Sequence, residues 1–553
     1  MRLPYAELTR RKFLQGASAG TMGLAFGPWP AKALAQQPTP GGTRPNIILM
    51  MVDDMGYSDL GCFGGEIATP NLDAIAASAV RVTNCHNTAR CCPSRAAILT
   101  GLHPQQVGMG YMTGGPKGPN QPGYAGSLAK PHVTIANVMA GAGYFTGISG
   151  KWHLNPGPEN EGFQRFDFHE PAGSRSFFPV KPEKGPMRET FGYITDWFGD
   201  GVCRYIDDTP RNTPFFIYWT PTAPHYPLHA KVADIRKYKG KYDAGPQAVA
   251  DARYRRQVEM GIVDAAWPYA TPDEVANPDT AYRTDVRTDA DSYPPPPGTK
   301  LANSKSARLQ SSRQARSFQE MMEIYAAMVD AMDQNVGKVV AKLKQADQYE
   351  NTLFVFCSDN GTSDEKQAAG KSWGQVSNTP FRKWKKSVYG GGNRTPLIVS
   401  WPARIAAPAK GSVNRTYGHL IDFMPTVLDS AGAKYPDMDA RGRDLPPMEG
   451  RSLLPVLDGR RVPMTRPLCV EHRGNLAVIT EQWKIVSDGR EPWRLYNMRT
   501  DPLERNDLAA ENPDLVMSMA RQWQEWADRV DARANSNSAD DTKARINLDS
   551  MTP

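Results

Sequence analysis

Cysteine and histidine are scarce in this chain, at seven and nine among 553 residues. No two cysteines stand in a C-x-x-C arrangement, which argues against a zinc ribbon. Seven are also too few and too scattered for a dense disulfide framework, and the odd count leaves at least one thiol unpaired. Long hydrophobic runs are missing; none approaches the roughly 20 apolar residues of a membrane-spanning helix. A strong charge of one sign is missing too. The 65 basic and 58 acidic side chains leave a formal +7, but five of the basic groups lie in the first 35 residues beside one glutamate. The remainder carries only +3, too little to argue for nucleic acid or a membrane surface as partner. No internal repeat is present. What is there, 40% apolar and 22% charged residues over this length, suits a large core plus a second domain.

Residues 1–35 are set apart by composition. Thr9-Arg10-Arg11-Lys12-Phe13-Leu14 resembles a twin-arginine export motif, and a small-residue-rich, mildly apolar run to Phe26 follows it. Ala33-Leu34-Ala35 offers an A-x-A cleavage site before Gln36. The expectation is a removable signal peptide, a twin-arginine translocase as partner, and a periplasmic or secreted mature protein with no stable membrane span. A disordered basic N-terminus is the plainer alternative.

Beyond a Pro/Gly-rich linker (Gln37 to Arg44), Asn46 to Val52 is a continuous apolar run of strand length, ending abruptly in Asp53-Asp54. The same grammar recurs. Tyr144 to Ile148 delivers Gly150-Lys151-Trp152-His153, and Phe215 to Trp219 precedes Ala223-Pro224-His225. Leu353 to Cys357 ends in Ser358-Asp359-Asn360-Gly361, and Pro396 to Ser400 is a fifth strand. Helical patterns lie between. Thr69 is placed to cap a helix with Pro70 at its first position. From Ser317 to Gln345, Met321, Tyr325, Met328, Met332, Val336, Val339 and Leu343 form one apolar face, its methionines core packing rather than ligands. Alternating strands and helices imply an α/β fold with a largely parallel sheet covered on both sides. Residues 231–316, polar and carrying the Pro294–Pro297 run, are expected to be long loops with short helices. After Gly432, Leu476 to Thr480, Trp483 to Val486 and Trp493 to Met498 suggest an antiparallel meander, with a helix around Leu515 to Val530 packed on it. The expected organisation is therefore a catalytic domain over 44–434, a smaller C-terminal α+β domain over 435–535, and a polar tail over 536–553.

In such sheets ligands bind beyond the carboxyl ends of the strands, where Asp53, Asp54, Lys151, His153, His225, Asp359 and Asn360 all fall. Three carboxylates and an amide converging there call for a cation. An all-oxygen set favours Ca²⁺ or Mg²⁺ over zinc. A lone histidine is more often a surface or satisfied core residue, the expectation for His86, His132, His169, His229 and His472. His103 and His419 are expected to pack or to shape the site.

Cys91-Cys92-Pro93-Ser94-Arg95-Ala96-Ala97-Ile98-Leu99-Thr100-Gly101 reads as a loop delivering a thiol to the first turn of a short helix, with proline opening the helix and Gly101 ending it. In order, these residues match the C-x-P-S-R-x-x-x-L-T-G signature of the type I, formylglycine-dependent sulfatases. Gly150-Lys151-Trp152-His153-Leu154 and Ala223-Pro224-His225-Tyr226-Pro227 resemble that family's G-K-W-H-L and A-P-H-x-P. Asn378 to Pro396 is similar to its N-x-P-L-R-G-G-K-G-T-x-Y-E-G-G-x-R-x-P, which puts a catalytic lysine at Lys385. Lys383 and Trp384 stand there for two glycines, Gly390 stands for the usual Glu, and Lys383 and Lys386 flank the position. Gly61 to Ile75 and Gly108 to Met112 look most like bacterial arylsulfatases.

The resemblance implies an alkaline-phosphatase-like sandwich. It also implies Cys91 oxidised to formylglycine (3-oxoalanine) by a formylglycine-generating or sulfatase-maturating enzyme. The ion, usually calcium, would be held by Asp53, Asp54, Asp359, Asn360 and modified Cys91. The implied reaction is hydrolysis of an aryl or carbohydrate sulfate ester to alcohol or phenol plus sulfate, through a covalent sulfated enzyme. Lys151 and Lys385 would balance charge on the sulfuryl group, and Arg95 would hold the nucleophile and the metal-site carboxylates. His225 would protonate the leaving oxygen and His153 would assist release of sulfate. A phosphodiesterase or phosphonate monoester hydrolase of the same superfamily is the nearest alternative, and an inactive sulfate- or glycan-binding protein a more distant one.

Overall fold

Asn46–Val52 (β1) is buried at every position, as a strand covered on both faces must be. The computed structural model of the chain describes residues 44–115, 121–172, 176–178, 192–275, 281–283, 315–489 and 491–533. The expected signal peptide, the Pro294–Pro297 run and the 536–553 tail lie outside them. In chain order the further strands are Val80–His86 (β2), Phe145–Lys151 (β3), Arg165–Glu170 (β4), Phe215–Thr220 (β5), Ala281–Arg283 (β6), Ala315–Ser317 (β7), Thr352–Ser358 (β8), Arg394–Ser400 (β9) and Val413–His419 (β10). All but β6 and β7, which pair with each other, form one eight-stranded sheet ordered β10-β2-β9-β8-β1-β5-β3-β4. Seven strands run one way. Only β9 is reversed, antiparallel to both β2 and β8.

The pleat sends alternate residues to opposite faces. Ile48, Met50, Val52, Ile217 and Phe356 pack under the long helix Phe318–Gln345 and the helix Ile194–Asp208. On the other face Tyr218 meets Phe163 and Arg95 of the helix Cys91–Thr100. The long helix begins one residue later than the apolar pattern suggested. Ser317 is its N-cap, its hydroxyl accepting from the Glu320 amide while Glu320 reaches back to the Ser317 amide. Met321, Met328 and Met332 are wholly buried, as core packing requires. Thr69 does hold the N-cap position of Pro70–Ala76, but its hydroxyl bonds the Asp73 carboxylate. The helix start is capped instead by Asp333, which accepts from the amides of Asn71 (3.0 Å) and Leu72 (2.8 Å).

The described part of 231–316 is more helical than polarity suggested, because the fifteen-residue helix Gly245–Glu259 carries a buried ionic core rather than an apolar stripe. Its Arg253 is fully buried and forks onto Glu66 (2.7 Å) and Asp59 (2.7 Å), tying the helix to the loop after β1. Although burial works the other way, Arg253 holds the Glu66 carboxyl at about 2, down from 4.5. A depressed carboxyl stabilises the fold above its unfolded value and loses that contribution as pH falls through the folded one. Glu66→Gln will therefore flatten the loss of stability between about pH 4.5 and 2, by on the order of 3 kcal/mol. Denaturant midpoints at pH 7 and pH 3, compared with the parent, check this.

The C-terminal meander is Leu468–His472 (β11), Asn475–Ile479 (β12), Trp483–Ser487 (β13) and Arg494–Asn497 (β14), antiparallel throughout. One face (Leu476, Val478, Ile485, Leu495) packs under the helix Pro513–Val530 through Trp523 and Trp526. The other (Val470, Ala477, Val486, Tyr496) packs on Val388 and Tyr389, just after Lys385. Lys484 donates to the Val388 carbonyl (2.8 Å), and Arg382 donates to the Glu504 carbonyl (2.9 Å). The small sheet thus braces the segment that leads into β9.

Candidate active site

Because β1, β3, β5 and β8 are parallel, their ends open on one place, and β9, being reversed, begins there. That explains why Lys385 precedes its strand whereas the other candidate residues follow theirs. Lys151 Nζ lies 2.5 Å from Asp53 Oδ2, and Lys385 Nζ lies 2.5 Å from Asp54 Oδ1. Asn360 Nδ2 is 2.6 Å from the same Asp54 oxygen, and His225 Nε2 is 3.5 Å from Asp54 Oδ2. Arg95 donates to Asp359 Oδ2 (3.0 Å) and to the Lys151 carbonyl (2.8 Å). Cys91, Cys92 and His153 offer their sulfur and nitrogen atoms within 4.8 Å of one another. The structure therefore brings together all ten residues singled out from the sequence. The neighbouring lysines turn elsewhere: Lys386 pairs with Glu365 (2.9 Å), and Lys383 faces Asp488 at 3.8 Å.

Cys91 is itself the first residue of its helix, with Arg90 as N-cap, so Pro93 stands third rather than first. Its sulfur is buried in the first turn, where the helix end favours negative charge. Gly101 ends the helix in the left-handed conformation at φ +68°. A hydrogen bond from Cys92, working against burial, holds the Cys91 thiol well below the usual range, and Lys151, His153 and Lys385 add to this. Burial and Lys151 lower His153.

Two of the carboxylates are pushed apart. Burial and Asp53 raise Asp359 well above the usual range, whereas Lys151, overcoming burial, lowers Asp53. Asp53 Oδ1, Asp54 Oδ2 and Asn360 Oδ1 are buried acceptors with no hydrogen-bond partner among the described residues. Asp53, Asp54 and His225 offer ligand atoms within 4.8 Å of one another, and the three shielded oxygens beside Asp359 suit a hard divalent cation. The residues fit a metal.

Close backbone approach and strain hold the groups in place. Gly150 sits at φ +123°, and a Cβ there would lie 2.1 Å from the Thr220 carbonyl oxygen. Asp54 (φ +60°) and His153 (φ +56°) adopt the left-handed conformation, at a cost of about 1–2 kcal/mol each. Lys383, which stands for a glycine of the family motif, adopts the left-handed conformation at φ +70°, a region open to glycine without strain. Gly390 donates its amide to Glu504 (2.8 Å), so a carboxylate from the C-terminal part meets the backbone where the family carries its own.

Sequence reasoning missed the supports. Thr362 donates to the Asp54 carbonyl (2.7 Å), and Tyr325 joins Thr362 (2.8 Å) to Asp59 (2.6 Å). Tyr325 lies in the apolar stripe of the long helix, where nothing local marks a polar task. Arg90 was also missed; its Nε donates to Met112 Sδ (3.3 Å) and its NH1 is buried without a hydrogen-bond partner among the described residues. The expectation of a satisfied core fails for His86 and His472, buried with neither ring nitrogen hydrogen-bonded among the described residues. His103 and His419 pack against each other, ring centroids 6.0 Å apart, and His103 against Trp526.

Residues 45–433 match the family model described as Sulfatase. The chain belongs to the sulfatase family. Residues 381–528 of this sulfatase also match the model described as N-sulphoglucosamine sulphohydrolase, C-terminal, a span that runs from the Lys385 segment through the bracing sheet. The arylsulfatase of Klebsiella aerogenes is 29% identical over 459 residues, covering 74% of this chain and 91% of its own. The N-acetylglucosamine-6-O-sulfatase of Bacteroides thetaiotaomicron is 27% identical over 494 residues, covering 84% and 82%. Among solved structures, that of Ps i-CgsB superposes with a TM-score of 0.62 at 24% identity, covering 90% of this chain and 94% of its own, a likeness of fold. This sulfatase is a sulfuric ester hydrolase with the alkaline-phosphatase-like fold of its structural neighbours.

Proposed function

We propose that the enzyme hydrolyses a sulfate monoester of a phenol or a carbohydrate, with Cys91 converted to formylglycine as the residue that bears the nucleophile. The observation that carries this reading is the buried Cys91 sulfur in a helix first turn, its thiol lowered by Cys92, Lys151, His153 and Lys385. The sulfur marks the place of the hydrated aldehyde, which supplies one hydroxyl for attack on sulfur and a second for release of sulfate. Asp53, Asp54, Asp359 and Asn360 would hold Ca²⁺, or Mg²⁺, whose chemistry there is Lewis-acid polarisation of sulfate oxygens.

The chain's own groups do the rest. Lys151 and Lys385 are both held protonated by the carboxylates and the Cys91 site against the cost of burial, so two fixed cations face the developing negative charge. Arg95 fixes Asp359 and the end of β3 at once. His225 Nδ1 lies 2.5 Å from the Tyr226 carbonyl, which keeps a hydrogen on that nitrogen. Nε2, facing Asp54, is then the atom that, in the doubly protonated ring, passes its proton to the leaving oxygen and leaves the Nδ1–H imidazole behind. His153, lowered by burial, is free to take a proton when sulfate leaves.

Turnover of 4-nitrophenyl sulfate beside bis(4-nitrophenyl) phosphate, with mass spectrometry of the Cys91 peptide, tests the reading. The expected result is the faster sulfate reaction and a formylglycine mass; preference for the diester, or active protein with unmodified Cys91, would overturn it. A chelator should remove at least about 99% of the activity, with Ca²⁺ restoring it. Undiminished turnover would take the metal out of the mechanism.

A maturation enzyme and export through the twin-arginine translocase complete the proposal, and a route for folded cargo suits a cysteine modified before export. Arg10→Lys/Arg11→Lys should leave the sulfatase activity in the cytoplasmic fraction. Periplasmic activity equal to the parent's would defeat the export reading.

A further inference from the structure

A groove of about 520 Å³ lies along the β10-β2-β9 side of the large sheet, lined by Thr83 and Asn84 of β2 and by residues of the C-terminal part. The volume suits a small-molecule or sugar site. None of the ten active-site residues lines it. The sheet order sets most of it apart as well: β2 and β10 are three and four strands from β1, about 14 and 19 Å at usual strand spacing, and Arg394 begins β9, two strands away.

Four guanidiniums line this groove, those of Arg394, Arg415, Arg461 and Arg499, against two carboxylates, Asp264 and Glu481. Arg394 is buried at the floor, held by Asn84 (2.8 Å) and lying over the Phe381 ring at 4.4 Å. Arg415 is tethered to the Gly261 carbonyl (2.9 Å) beside the half-buried Trp267, 5.9 Å from its ring centroid. At the rim, exposed Arg461 faces Glu481 at a loose 3.6 Å. The Arg499 side chain, also exposed, makes no hydrogen bond or ion pair among the described residues. The half-buried Trp267 adds aromatic surface, while the lining Tyr57 and Tyr417 are buried behind it.

A surplus of guanidinium forks calls for carboxylate or sulfate groups, which arginine grips through two parallel hydrogen bonds. A half-buried indole beside the forks suits an apolar ring face. The weak overall charge argues against nucleic acid. An anionic sugar ring meets both demands. Building on the sulfated-carbohydrate reading above, we infer that this groove is a second saccharide site, which holds a charged sugar unit away from the catalytic centre.

The full mature chain carrying Cys91→Ala, which leaves bound sugar uncleaved, is titrated calorimetrically with hexasaccharides of heparin, chondroitin 4-sulfate and κ-carrageenan. The comparison adds Arg461→Ser/Arg499→Ser, both exposed positions, to the same chain. The expected result is a loss of at least tenfold in affinity for one or more hexasaccharides. In the Cys91 background the double variant should keep kcat/KM for 4-nitrophenyl sulfate within twofold. Unchanged affinity for every hexasaccharide, or no binding by the parent, overturns the inference. So does equal loss of aryl sulfate turnover, which would make the groove part of the catalytic pocket. A chain that loses hexasaccharide affinity through these arginines but hydrolyses no sulfate ester would keep the groove and sink the functional reading instead.

Discussion

Cys91→Ala will abolish hydrolysis of 4-nitrophenyl sulfate, lowering kcat on the order of 10⁴-fold or more while leaving the protein folded. The side chain is small and buried at the first position of a helix, and its loss exposes no charge and removes no backbone hydrogen bond. Stability should change by about 1 kcal/mol, within the usual range for a buried single-atom deletion. The lysines keep their carboxylate partners, so the site should retain its shape and still bind the product sulfate. Progress curves with the parent and the variant, together with far-ultraviolet circular dichroism, measure both halves of this expectation. Residual turnover within tenfold of the parent would remove Cys91 from the chemistry.

Arg95→Ala should damage both structure and activity. The guanidinium and the Asp359 carboxylate are wholly shielded from solvent, 3.0 Å apart, and the other arm of the guanidinium ties down the end of β3. Burial and Asp53 raise Asp359 and Arg95 works against them, so deleting the cation removes what compensates the ionised carboxylate. Breaking one side of such a pair costs about 3–5 kcal/mol. Adding Asp359→Asn should recover part of that stability without recovering activity, because the charge needing a partner has gone while the oxygen set is depleted. Denaturant midpoints of the single and double variants test this; a double variant less stable than the sum of the singles would contradict a direct pairing.

The groups proposed to carry the chemistry were legible because each ends or begins a strand beside a short motif. An apolar run stopping at Asp53-Asp54 needs only the two-sided burial of a parallel strand to place its carboxylates, and the same holds for Lys151 and Asp359-Asn360. The supports were not legible. Tyr325 occupies an apolar stripe yet turns its hydroxyl to Asp59 and Thr362. Asp333 caps a helix more than 260 residues away. Arg253 sits on a helix without an apolar face because its burial is ionic. Such contacts join segments distant in sequence, and no local period announces them.

Lys385 marks the boundary between the two kinds of knowledge. Sequence alone determined the residue types, the strand-end grammar and the family, since these depend on neighbours along the chain. It left three lysines within four positions as contenders. Tertiary structure brings one of them, Lys385, to Asp54. The reversal of β9 brings the preceding segment to the catalytic end of the sheet, and the C-terminal meander clamps that segment at Val388 and Tyr389. Left-handed turns at Lys383 and Lys386 carry those side chains to Asp488 and Glu365, while Lys385 reaches Asp54. A backbone direction set by strand pairing and packing, rather than a preference of the lysines themselves, makes that choice.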